Sequence, residues 1–167
     1  MKIIFFISMA ASVSAALGQS NQSIFDLKEP KYSMEKAYLY GLSDVEGAGD
    51  ILEKGHLNKT VVDTIGVTLT GAQVKKIVTV ATGNNDAEVD EQAECFLPHH
   101  GVVFYDEKNR PLASVTICFD CRRMKFHPKI VDPEKGITIL KEVILELGLP
   151  VFDNFEEYLE LGKKIRK

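Results

Sequence analysis

The sequence predicts an α+β fold, a small antiparallel sheet with a central β-hairpin, covered by two or three helices. Three observations carry this. Val102-Val103-Phe104-Tyr105 and Leu112-Ala113-Ser114-Val115-Thr116-Ile117 are apolar, β-branched runs flanking a polar stretch, which is how a hairpin reads. Val74, Ile77, Val78 and Ala81 recur at i, i+3, i+4 and i+7, the single buried stripe of a surface helix. Ile137, Leu140, Ile144 and Leu147 form a second such stripe.

At 167 residues the chain is long enough for one domain with a real core. It is 45% hydrophobic and 26% charged, the balance of a globular protein. Lys and Arg number 20 against 24 Asp and Glu. No basic block is interleaved with aromatics, so nucleic-acid binding is not expected.

The N-terminus has the layout of a secretory signal peptide. Lys2 is a positive n-region, and an apolar run with Ile4, Phe5, Phe6 and Ile7 follows. Small residues come next, and Val13 and Ala15 suit a cut after Ala15; a cut after Gly18 is the alternative. The run is shorter than the roughly 18–20 residues of a spanning helix. The expected organisation is a signal peptide over 1–18, a disordered leader over 19–33 and a single α+β domain over 34–167. Export to the periplasm or the extracellular space follows, with no membrane-spanning segment after cleavage. A protein partner in the cell envelope is the partner to look for.

In order along the mature chain, Lys36-Ala37-Tyr38-Leu39-Tyr40 alternates as a short strand does. Residues 43–49, with two acids and two glycines, read as a loop, and residues 51–55 fit either state. Asn58-Lys59-Thr60-Val61-Val62-Asp63-Thr64-Ile65 is β-branched and reads as a strand. Thr70-Gly71-Ala72-Gln73 is a capping box at a helix start, and Gly83 supplies the left-handed stop. Residues 86–94 hold five acids and read as a solvated loop. In the second hairpin strand Leu112 and Ser114 should face one way, and Ala113, Val115 and Ile117 the other. Asp132-Pro133 signals a helix start, and Gly148 with Pro150 ends that helix. Asp153-Asn154-Phe155-Glu156 opens a last short helix in which Phe155, Leu159 and Tyr158 should pack.

All three cysteines and two of the four histidines lie in residues 95–121. The stretch runs Cys95-Phe96-Leu97-Pro98-His99-His100-Gly101, then the hairpin, then Cys118-Phe119-Asp120-Cys121. The hairpin places Cys118 opposite His99 to Gly101, and so gathers the ends of the stretch at one place. Three readings stay open there. In the first, Cys95, His100, Cys118 and Cys121 ligate a metal, with zinc the ion for a Cys₃His set. In the second, two of the cysteines form a disulfide, as export favours. That bond is structural, or redox-active with Arg122 and Arg123 favouring a thiolate beside them. In the third, the cysteines are small buried residues without chemistry. A Cys–His nucleophile built on Cys95 with His99 or His100 has no third group to orient it. Haem attachment would need a histidine where Arg122 stands. His56 and His127 read as surface residues.

The cysteine and histidine pattern resembles one in uncharacterised secreted bacterial proteins. It runs Cys-aromatic-x-Pro-Arg/His-His-Gly, followed by Cys-Phe-x-Cys. The match covers 27 residues plus the signal peptide. His99 stands where that family often has Arg, so the resemblance implies His100 as the better ligand. It implies no reaction. The sequence thus leads to an exported small protein with a Cys/His site at the base of a hairpin. Metal binding is one reading of it. A disulfide-stabilised, non-catalytic interaction module and a Cys–His thiol enzyme are the others.

Overall fold

The structure, a computed structural model, describes residues 25, 31–43, 49–129 and 135–166. The signal peptide, most of the leader, and Asp132-Pro133 lie outside the described residues.

Five antiparallel strands form the main sheet in the order β4-β1-β5-β6-β7. They are β1 (Met34–Leu39), β4 (Val67–Thr68), β5 (His100–Tyr105), β6 (Pro111–Cys118) and β7 (Arg123–His127). A two-stranded flap, β2 (Leu52–Glu53) with β3 (His56–Leu57), stands apart from it. Three helices complete the α+β fold: α1 (Gly71–Ala81), α2 (Ile137–Glu146) and α3 (Phe155–Ile165).

The hairpin of β5 and β6 is the centre, as the alternation predicts. His100 pairs with Ile117, Gly101 with Thr116 and Val102 with Val115. Asp106 shapes its turn by accepting from Lys108 N at 2.8 Å and Arg110 N at 2.9 Å. Pleating sends His100, Val102, Phe104, Ala113, Val115 and Ile117 to one face. There α1 and α2 close the main core with Val74, Ile77, Val78, Leu140, Val143 and Ile144. The capping box of α1 is formed, with Gln73 N bonded to Thr70 Oγ1 and Thr70 N to Gln73 Oε1. Phe25, inside the stretch read as a disordered leader, is packed edge-on against Phe104 and Phe126 in this core. The opposite face carries Tyr38, Tyr40, Val103 and Tyr105, under Ile51 and the flap.

Two expectations are corrected, and one strand appears where no element was expected. Residues 58–65 form turns, not a strand. Asn58 Oδ1 accepts from Thr60 N and Thr60 Oγ1, at 3.0 and 2.7 Å, and Asp63 Oδ1 accepts from Ile65 N at 2.8 Å. Such local bonds compete with a sheet ladder and here replace it. The basic stretch after Cys121 is a strand, β7, with Met124 and Phe126 inward and Arg123, Lys125 and His127 on the other side. Met124 and Phe126 alternate with Arg123, Lys125 and His127, the period of a half-buried strand. Finally, Asp90 in the acidic loop is buried and bonds Ile137 N at 3.0 Å. It caps α2 from a distance, because the N-cap Gly136 has no side chain to do so.

Candidate functional site

The hairpin does gather its ends. Cys118 is the last residue of β6, and the turn that follows brings Cys121 back beneath it. Cys121 is bonded to Cys95 in a disulfide with the Cα atoms 5.7 Å apart. Cys95 is exposed and Cys121 buried. Cys118 is the free cysteine, buried, and its Sγ is used twice. It donates to Leu97 O at 3.3 Å and accepts from Cys121 N at 3.3 Å. Burial raises the pKa of this thiol, so the nucleophilic thiolate is disfavoured.

The two histidines are structural partners of other elements. His99 stacks on Tyr158 of α3 with ring centroids 4.0 Å apart, and its Nδ1 lies 3.4 Å from Tyr40 O. His100 Nε2 lies 2.8 Å from Pro150 O, and its ring meets Phe119 and the edge of Tyr158. With a carbonyl as partner, each of these nitrogens carries the proton of a neutral ring. Burial pushes His99 down to about 4 and His100 down to about 3. His99 Nε2 and His100 Nδ1 are buried without a hydrogen-bond partner. Gly101 completes the motif for a steric reason. A Cβ there would stand 2.5 Å from the Ile51 side chain. Its absence lets Ile51 sit on the sheet, where Ile51 N donates to Thr116 Oγ1 at 3.0 Å.

The three residues of His99-His100-Gly101 therefore fasten three things: α3, the segment at Pro150, and the base of the flap. The neighbouring arginines are also engaged. Arg122 pairs with Asp90 at 3.4 Å, and Arg123 Nη1 donates to Glu94 O at 3.2 Å. A shallow hollow of about 380 Å³ beside the turn is lined by Phe119, Asp120 and Arg122, and by no cysteine.

Of the predicted ligands, Cys118 and Cys121 stand together, and Cys95 joins them through the disulfide. His100 packs against the Phe119 ring and is bonded to Pro150 O. In this oxidised arrangement the four do not fit a metal ion. A disulfide sulfur has no thiolate charge to give, and one nitrogen of His100 is already committed to Pro150. Among the described residues no group of three or more His, Cys, Asp or Glu stands ready to hold one. A zinc site at these residues would need the reduced chain. Among the described residues no helix is long and apolar enough to cross a membrane. No family model, curated protein or solved structure matches the chain.

Proposed function

We propose that the protein is an exported binding module, stapled by its disulfide and without catalysis at the Cys/His cluster. The Cys95–Cys121 bond carries this reading. A disulfide is compatible with an oxidising compartment, and the signal-like N-terminus points the same way. The two cysteines it joins are lost as nucleophiles, and Cys118 is left as a buried thiol with both its bonding roles filled. The neutral, buried histidines support the same view, since their rings hold α3 and the Pro150 segment in place.

The full chain, expressed in a bacterium and fractionated, tests this. The expected product is in the exported fraction, starts at Ala16 or Gln19, and gives one linked peptide pair joining Cys95 to Cys121. Full-length protein in the cytosol with three reduced cysteines would overturn it. Zinc bound to that reduced form would establish the rival Cys₃His reading.

A further inference from the structure

A second concavity lies on the far face of the sheet from α1 and α2. It is a cleft of about 540 Å³ between the β2–β3 flap and the outward faces of β6 and β7. That volume is in the range of small-molecule sites. The flap is held up over the sheet by the Ile51–Thr116 bond and by Ile51 resting on Gly101. The cleft is what remains beside this support. Its floor includes Leu112 and Ser114.

The charge of the lining is the decisive feature. Among the described residues, Lys54, Arg123 and Lys125 line the cleft with one carboxylate, Asp50, and Lys129 beside them has a partner of its own. The whole chain has a formal net charge of −4, so positive charge is concentrated where the surface is concave. A concave wall of one sign raises the local concentration of the opposite ion. The strand sets the spacing. Arg123 and Lys125 are two residues apart on one face of β7, hence roughly 7 Å apart along it. Arg123 gives one nitrogen to Glu94 O and retains further donors. Lys125 Nζ is 3.7 Å from Asp50 Oδ1 and 3.9 Å from the centre of the Phe96 ring. The Asp50 pair is half exposed on both sides, the kind of contact worth at most about 1 kcal/mol. A better anion would displace it.

We propose that this cleft binds a small ligand carrying two anionic groups, carboxylate or phosphate, about 7 Å apart along β7. The inference rests on the binding-module reading and names what such a module would hold.

Amide chemical-shift titration of the oxidised protein tests it, with adipate as the carboxylate probe and glucose 1,6-bisphosphate as the phosphate probe. Inorganic phosphate at matched ionic strength is the control. The expected result is saturable shifts at β7 and at Lys54 and Gly55 with at least one dianion. Its affinity should be at least about tenfold above that of inorganic phosphate, and lost by at least about tenfold in Arg123→Gln/Lys125→Gln. The tighter of the two probes identifies the source of the anion. Because the disulfide is verified beforehand, failure here counts against the cleft and not against the staple. No saturable shift, equal binding of inorganic phosphate, or an unaffected double variant would overturn the proposal. The cations of β7 would then serve only to keep an edge strand from pairing with another chain.

Discussion

The base of the central hairpin and the cleft beside β6 and β7 are made of opposite materials. The base holds the residues that chemistry usually uses, three cysteines and two histidines. It spends them on closure: a disulfide, a thiol bonded on both sides, and two neutral rings wedged against α3 and Pro150. The cleft is lined by residue types of an ordinary surface, Lys54, Arg123 and Lys125 among them, around a hollow. Reactive residue types thus mark where this molecule is fastened. Plain lysines and an arginine line the cleft proposed above to take an anion.

The contrast can be broken most forcefully by acid. His99 and His100 are held below their ordinary value by burial. Between pH 6.5 and about 4 the unfolded chain takes up protons that the folded chain refuses, so stability falls as pH drops through that window. Above pH 6.5 this contribution is fully present. From pH 7.5 to pH 5 the loss should be about 2 kcal/mol per histidine, about 4 kcal/mol together. Urea unfolding against pH measures it. In His99→Phe, which keeps a ring against Tyr158, about half the pH slope should disappear. An unchanged slope would mean that His99 titrates normally.

Reduction of the Cys95–Cys121 bond comes next. It closes a loop with a sequence separation of 26, for which chain entropy gives about 3.5 kcal/mol. Cys95→Ser should lower the unfolding free energy by up to that amount and leave the binding of the anionic probes unchanged at temperatures where the protein stays folded. Loss of anion binding by folded Cys95→Ser would show that the two regions are coupled.

Gly101→Ala should cost about 2 kcal/mol, because a Cβ would press into Ile51. This variant sharpens the comparison, since Gly101 belongs to the base but supports the flap. Thermal melting should drop, and the cleft should loosen with it. The smallest effect on the closed side is Cys118→Ala, about 1 kcal/mol for the lost thiol bonds. A larger loss, accompanied by loss of a bound metal, would return the cluster to chemistry.

Much of the fold was legible because pattern and burial agree. The hairpin register, both helical stripes and the capping box at Thr70 follow from spacing alone. Where local bonding competed with propensity, the sequence misled: Asn58 and Asp63 turned a β-branched segment into loops. The meeting of the cysteines was also legible, because the hairpin register dictates it. The choice among disulfide, metal and buried thiol was not, because spacing alone does not fix which sulfurs bond or what else holds the histidines. The roles of His99, His100 and Gly101 depended on Tyr158, Pro150 and Ile51, none of them near in sequence. The cleft was hidden for the same reason. Asp50 and Lys54 reach Arg123 and Lys125 only after the flap folds across the sheet. The one available signal was the alternation Arg123-Met124-Lys125-Phe126-His127.

Quantifying thiols and zinc per chain in the purified, unreduced protein tests the closed base most directly. The expected result is no reactive thiol in the native state, one on denaturation, mapped to Cys118, and no zinc. Three thiols released together with one zinc ion per chain would contradict it and make the base of the hairpin a metal centre.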